Sequence, residues 1–597
     1  MAKSPDLPTH LNQAIKPHVN VDVVKLGETI LIPEACKHML KANTDEIIVI
    51  DGKENPVGIV TDEDILKKTS EAFVDPVKTT LGDIMTFPVV TIKQNATLSD
   101  ALDSMRRHKV RKLVVLSDEE KIVGMLYKNT IINMMKKHLA TKQEKQSQFW
   151  SIIWNLGLVL QFAGVLMFVP AIVATILWET VPATGIYLMS TLLFVTGFFM
   201  NSYGERYPLK KRGTAILVFS SFMLLVLFGT IPHLLVLPQA GLDTSSHFVR
   251  SFFESSAGFT TGGLSTISTP EELPQSFTFY RGYTQFVGGL SFIYLIVTAF
   301  YPEHKLYAMR SFLTGRIPQL RELFTTITIL FSIYIIIIAV ALFYLGERNI
   351  IDNFALAMSA LSTGGWIPNS QILVDLEVSE YIVIIFGMVL GALPFGFHYA
   401  FVRKKFMSFQ INKEVALYFG ILGVASTVFV VSVDVNPIDG VFNLVSGSTT
   451  TGFQTMGLQN LHWAAGTALI TVMIIGGCGF STAGGLKVYR LFALANIKGI
   501  RKKINRSDKN EIIAAVILVA ALPIIPLFVA NHMSSLGYNY GDSYFDAVSA
   551  LTTTGLGTGT ISDQLDSYTL ILFAFLMIFG RIEVILLLYI FIPKLIP

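Results

Sequence analysis

Beyond residue 148 the chain is built from long apolar blocks separated by short polar connections, and before it from short alternating and amphipathic groups. Ten apolar runs lie near 152–174, 184–202, 214–237, 281–301, 323–345, 380–401, 414–434, 467–497, 511–530 and 568–594. A helix needs about 20 apolar residues to cross a bilayer, so the runs predict membrane spans.

Residues 1–147 predict a soluble α/β unit with an internal repeat. EACKHMLKANTDEIIVIDGKENPVGIVTDEDIL and DALDSMRRHKVRKLVVLSDEEKIVGMLYKNTII each read as an amphipathic helix, a strand (47–50 or 113–116), an acidic turn, a second strand and a further helix. Ala35 and Ala101, Met39 and Met105, and Gly58 and Gly124 are each 66 residues apart. Duplicated α/β units of this size pack together to bury what neither buries alone.

Composition supports the division. The chain is 52% hydrophobic and 15% charged, with a mean hydropathy of +0.55; soluble proteins carry about 25% charge. A net charge of +3 without a basic aromatic patch argues against a nucleic-acid partner. Cys36 and Cys478 predict neither a disulfide framework nor a zinc site, and no histidine begins an HExxH motif. The start, MAKSPDLPTHLNQAIKPH, lacks the apolar core of a cleaved signal peptide.

Basic residues alternate between connections. Arg206, Lys210, Lys211 and Arg212 precede the third run; Lys305, Arg310, Arg316 and Arg321 precede the fifth; Arg403, Lys404, Lys405 and Lys413 precede the seventh; residues 487–510 hold eight, including Arg501, Lys502 and Lys503. Arg250 and Arg348 are the clear cases on the other side. The positive-inside rule puts the basic connections in the cytoplasm, with the head, joined through Lys136, Lys137, Lys142 and Lys145. The expected location is the cell membrane, with the C-terminus also cytoplasmic and lipid around the spans.

The alternate connections share a motif: SAGFTTG (256–262), SALSTGG (359–365), SGSTTTG (446–452) and SALTTTG (549–555). Its last glycines, Gly262, Gly365, Gly452 and Gly555, are 103, 87 and 103 residues apart. Non-helical backbone at membrane depth is tolerated where it lines an aqueous cavity or is buried in protein, and a ring of carbonyls replaces a cation's hydration shell. Glycine permits the positive φ such a turn needs. The apolar stretches before the motifs suit short helices whose C-terminal dipole ends favour a cation. No carboxylate lies inside the motifs, which argues against a divalent ion. The predicted filter is Thr260, Thr261 and Gly262; Thr363, Gly364 and Gly365; Thr450, Thr451 and Gly452; and Thr553, Thr554 and Gly555.

Two further features lie in the spans. GGCGFSTAGG (476–485) interrupts a run that would otherwise continue as helix; close helix packing is the alternative reading. Arg581 sits mid-span, where a charge costs at least about 2.5–3.5 kcal/mol on insertion scales. Glu583 falls two residues on and points elsewhere, and His398 reads as structural.

The head resembles a tandem pair of CBS domains, a family that often binds adenosine nucleotides. The resemblance implies contacts from Thr61 and Asp64 of GIVTDED to an adenine nucleotide or cyclic dinucleotide; Tyr127 and Thr130 replace them in the second copy. The alternative is a dimerisation module without a ligand. Residues 150–597 resemble the TrkH/KtrB/HKT superfamily of potassium transporters, on the four motifs together with RGYTQFVGGLS (281–291), GALPFGFHY (391–399) and GGCGFSTAGGLKVYR (476–490).

The resemblance implies an α-helical polytopic membrane protein with four helix–pore loop–helix repeats and two leading helices, plus the α/β CBS pair. Domain limits follow as 1–147, 148–212, 213–322, 323–413, 414–510 and 511–597. Glycine at all four filter positions implies potassium. A gating loop is implied at Gly476, Gly477, Gly479, Ser481, Thr482, Gly484 and Gly485, and an electrostatic barrier at Arg581. A homodimer and a separate cytoplasmic RCK-type regulatory subunit are the implied partners, with the CBS head replacing or supplementing the latter. The alternative within the fold is a sodium-permeable or weakly selective cation channel. Magnesium channels should show intramembrane carboxylates, and chloride channels carry different filter motifs; neither pattern is present.

Overall fold

The computed structural model describes residues 14–71, 75–205, 207, 209–238, 247–300, 320–346, 348–374, 376–402, 412–433, 435–459, 461–495, 506–582 and 590. The basic residues Arg206, Lys305, Arg310, Arg316, Arg403, Lys404, Lys405, Arg501, Lys502 and Lys503, and Glu583, lie outside the described residues. Two compact units divide the chain, residues 1–146 and 147–597.

The first unit contains β1 (Val24–Gly27), α1 (Ile32–Ala42), β2 (Glu46–Ile50), β3 (Pro56–Thr61), α2 (Asp62–Glu71), α3 (Leu81–Ile84), β4 (Thr91–Lys93), α4 (Leu98–Arg107), β5 (Lys112–Leu116) and β6 (Ile122–Tyr127). Two three-stranded sheets have the orders β1-β2-β3 and β4-β5-β6. In each the first pair is parallel and the second antiparallel. The duplication extends to backbone detail. The register slips at Val49/Ile50 and at Val115/Leu116, and positive φ recurs at Asn43 and Lys109 and at Glu54 and Glu120. Ile48, Val114, Ile122 and Met125 form the apolar seam between the halves.

The second unit begins within α5 (Lys128–Ile176), followed by α6 (Thr180–Tyr203). Four similar groups follow: α7 (Lys211–Val236), α8 (His247–Phe259) and α9 (Gln275–Phe300); α10 (Leu320–Leu345), α11 (Ile350–Leu361), α12 (Val378–Ala392) and α13 (Phe395–Val402); α14 (Asn412–Ser432), α15 (Pro437–Ser448), α16 (Trp463–Ile475) and α17 (Val488–Ala495); α18 (Arg506–Ser535), α19 (Tyr540–Leu551) and α20 (Ser567–Ile582). Among the described residues, six helices are long and apolar enough to cross a membrane, lying within α5, α6, α7, α10, α14 and α18.

The expected continuous span over 380–401 is corrected to two helices. Pro394 supplies no N–H and disfavours helical backbone at Leu393, which takes φ −79° and ψ 151°. The break expected over 476–485 extends to Lys487, with positive φ at Gly476, Phe480, Gly485 and Lys487.

Candidate functional site

Three of the short helices start alike. Asn349, Asn436 and Asn539 cap α11, α15 and α19, their side-chain oxygens accepting N–H groups of the first turn. All four end alike. Gly262 N–H donates to Ala257 O, Gly364 N–H to Ser359 O, Thr451 N–H to Ser446 O and Thr554 N–H to Ser549 O, each at 2.8 Å. The preceding N–H groups, of Thr261, Thr363, Thr450 and Thr553, donate to Gly258, Ala360, Gly447 and Ala550. This pair of bonds is the Schellman ending, whose left-handed residue is normally glycine. Here it is threonine in every case, with φ of 52°, 55°, 53° and 51°. A β-branched residue in that region is strained, by about 1–3 kcal/mol.

The hydrogen bonds correct the register of the first motif. Ala257, not Ser256, is the counterpart of Ser359, Ser446 and Ser549. Gly262 therefore matches Gly364, Thr451 and Thr554, and the counterpart of Gly365, Gly452 and Gly555 is Gly263. The four glycines share positive φ, at 69°, 83°, 92° and 90°. The letters SA misled, because Ser256-Ala257 in α8 lies one residue earlier than Ser359-Ala360 in α11. The paired glycines of TTGG and STGG were the available signal.

These four glycines close a ring. A Cβ on Gly263 would lie 2.6 Å from the Gly364 carbonyl oxygen and 3.0 Å from Gly555 Cα. A Cβ on Gly365 would run into the Thr451 carbonyl, and one on Gly452 into the Thr554 carbonyl. A Cβ on Gly555 would lie 3.0 Å from the Gly262 carbonyl oxygen. Each glycine thus admits the next segment's carbonyl as well as taking positive φ. The ring threonines Thr260, Thr261, Thr363, Thr450, Thr451, Thr553 and Thr554 are buried.

Behind the ring, three short helices hold the chain that leaves it. Glu254 accepts the Thr266 N–H at 2.7 Å, Asn443 the Thr455 N–H at 3.2 Å and Asp546 the Thr558 N–H at 2.7 Å. Glu254 also pairs with Arg281 at 3.2 Å, and the Arg281 guanidinium lies 4.2 Å from the Trp366 ring. In the second group the matching positions are Leu356 and Pro368. Proline has no N–H to donate, so an apolar residue stands where the others place an acceptor. These tethers were not legible in the sequence, because the spacing between the helix residue and its partner beyond the ring has meaning only once the ring register is known.

The 476–487 loop packs against the ring. Gly484 N–H donates to Thr450 Oγ1 at 2.6 Å, and a Cβ on Gly484 would run into the Thr552 carbonyl. Thr482 Oγ1 donates to Gly391 O at 2.8 Å, and Cys478 N–H to Ala392 O at 3.0 Å. Gly476 caps α16, Gly477 O accepts the Val488 N–H at 3.0 Å, and Ser481 Oγ donates to Cys478 O at 2.6 Å. Glu414, unnoticed in the sequence, accepts the Gly479 N–H at 2.6 Å. Arg581 is buried and donates from Nη1 to Thr482 O at 2.6 Å. Loop, ring and arginine form one cluster. His398 is buried, its Nε2 3.0 Å from Leu390 O, as a structural histidine should be.

In the head, Thr61 and Asp64 bond each other. Asp64 Oδ2 accepts from Thr61 N at 3.0 Å and Thr61 Oγ1 at 2.8 Å, and Asp64 N–H donates back to Thr61 Oγ1 at 3.2 Å. This reciprocal box caps α2, a structural role that the sequence reading had not assigned. Across the seam, Tyr127 and Lys112 both donate to Glu46. Burial and the Glu46 carboxylate push the Tyr127 hydroxyl up to about 12.

Four helix-terminated turns closed into a ring amid helices long and apolar enough to cross a membrane define a polytopic membrane protein. The chain belongs to the TrkH family of cation transport proteins, whose profile matches residues 183–431 and 416–595. CBS domains match at 15–71 and 81–137. A cation transporter of Methanocaldococcus jannaschii is 27% identical over 460 residues, 74% of this chain and 94% of its own length. The Trk system potassium uptake protein TrkH of Vibrio parahaemolyticus is 26% identical over 491 residues, 75% of this chain and 99% of its own. Its Escherichia coli K12 counterpart is 25% identical over 480 residues, 73% and 96% respectively. The crystal structure of the potassium transporter TrkH from Vibrio parahaemolyticus shares the fold, with a TM-score of 0.63 at 23% identity over 75% of this chain and 99% of that one.

Proposed function

We propose that the protein takes up potassium through the glycine ring, with the 476–487 loop as gate and Arg581 as an electrostatic barrier beneath it. The closed succession of Gly263, Gly365, Gly452 and Gly555 against neighbouring carbonyls carries this reading. A carbonyl ring without carboxylates suits a monovalent cation; the buried Glu254 and Asp546 tether the chain that leaves the ring. Rescue of a potassium-uptake-deficient cell at low potassium tests the proposal, with Gly263→Ser alongside. Rescue by the wild type and a larger sodium share through Gly263→Ser are expected. No rescue by well-expressed wild type would overturn uptake.

The alternating basic connections support a cytoplasmic head. An adenine nucleotide or cyclic dinucleotide bound there regulates the gate in this proposal, with Thr61 and Asp64 at the contact. Their mutual capping bonds still leave lone pairs for a ligand. A homodimer and an RCK-type subunit complete the proposal by family resemblance. Deleting residues 1–145 should abolish the nucleotide response; an unaltered response would sink this part.

A further inference from the structure

The ring carbonyls of Gly262, Gly364, Thr451 and Thr554 occupy equivalent places, but Gly364 O differs from the rest. Gln285, from α9, donates to it from Nε2 at 2.7 Å. Gly262 O accepts a backbone N–H, that of Leu264, at 2.9 Å. Among the described residues no other side chain donates to a ring carbonyl.

Gln285 is fully buried, and its Oε1 has no hydrogen-bond partner among the described residues. A Cβ on Gly364 would run into its amide carbon. From α20, Met577 fills the matching place against Gly262: a Cβ there would run into its sulfur and lie 2.8 Å from its Cγ. Filling the space behind a glycine in this ring therefore does not require an amide. Burying an amide with one end unpaired is costly, whereas methionine fills such gaps without polar atoms. The amide's distinguishing act is its bond to the Gly364 carbonyl.

We propose that Gln285 is a specificity-determining, positioning residue. Its hydrogen bond draws on one ring carbonyl and fixes its direction, lowering the field offered to a dehydrated cation. A smaller cation costs more to dehydrate and needs a stronger field in compensation, so a weakened carbonyl counts against sodium more than against potassium. The inference rests on the ring being the ion filter.

The experiment measures sodium-to-potassium permeability from reversal potentials of the full-length protein in liposomes, for wild type, Gln285→Met, Gln285→Asn and Gly263→Ser. Gln285→Met keeps the filling that Met577 provides elsewhere and removes the donor; Gln285→Asn keeps an amide that falls short of the carbonyl. Both should raise the ratio about two- to tenfold, the span of one hydrogen bond's net worth. If either variant folds and leaves the ratio at the wild-type value while Gly263→Ser shifts it, the Gln285 role is overturned and the filter reading stands. If Gly263→Ser also leaves it unchanged, the filter reading itself fails.

Discussion

Asp546, in the last short helix, accepts the Thr558 N–H at 2.7 Å across 12 residues of chain that contain the fourth ring segment. The same carboxylate takes the Thr558 and Thr560 hydroxyls. Asp546→Ala leaves these donors unpaired in a buried place, a cost of about 1–3 kcal/mol, and should lower the melting temperature. Asp546→Asn keeps one acceptor oxygen and should lose less. Leu356→Asn should bring no stabilisation, since Pro368 has no N–H to offer it. Thermal unfolding of the three variants in detergent checks the order.

The corrected register separates two adjacent glycines. Gly263→Ala meets the Gly364 carbonyl and adds left-handed strain, worth about 1–2 kcal/mol. Gly262→Ala meets the flexible Met577 side chain, and Thr260 Oγ1 at 3.2 Å, at ordinary φ. Potassium selectivity over sodium should therefore fall further in Gly263→Ala than in Gly262→Ala, read from reversal potentials. Equal losses would return the assignment to the letter alignment.

Thr450 joins ring and loop through its hydroxyl, which receives the Gly484 N–H at 2.6 Å. Thr450→Val keeps the branched shape and leaves that N–H without its acceptor, weakening the seated loop by about 1–3 kcal/mol. Single-channel recording should show a higher open fraction with unchanged ion selectivity.

Arg581 holds the loop through the Thr482 carbonyl at 2.6 Å. Arg581→Ala removes both that donor and the positive charge, so potassium flux should rise. Arg581→Lys keeps the charge but not the planar guanidinium, and should give an intermediate flux. Ion-flux assays in liposomes distinguish the three.

The head should loosen in acid. The side-chain hydroxyls of Thr80 and Thr97, then their backbone N–H groups, hold the Asp83 and Asp100 carboxyls below their ordinary 3.8. The folded state then binds fewer protons than the unfolded state. The stability from these caps is present above 3.8 and lost as pH falls through the lowered values. Hydrogen exchange should show the starts of α3 and α4 losing protection below that point, with less pH dependence at α4 in Asp100→Asn.

Apolar periodicity by itself determined most of the membrane helices and the duplicated head, since a bilayer and a half-buried sheet each impose a fixed repeat on side-chain polarity. The four threonine–glycine motifs and the glycine-rich break at 476–485 were legible too, because few residues tolerate positive φ. Tertiary structure decided what letters could not. Ser256 and Ser359 are identical letters at different positions in a helix ending, and only their hydrogen bonds distinguish them. Thr61 and Asp64 carry a ligand-contact pattern, yet close on each other as a helix cap. Gln285 reads as one polar residue in an apolar run until α9 brings it against Gly364, 79 residues away in sequence. Local spacing fixes which conformations a segment can adopt; which carbonyl meets which donor depends on how distant segments pack.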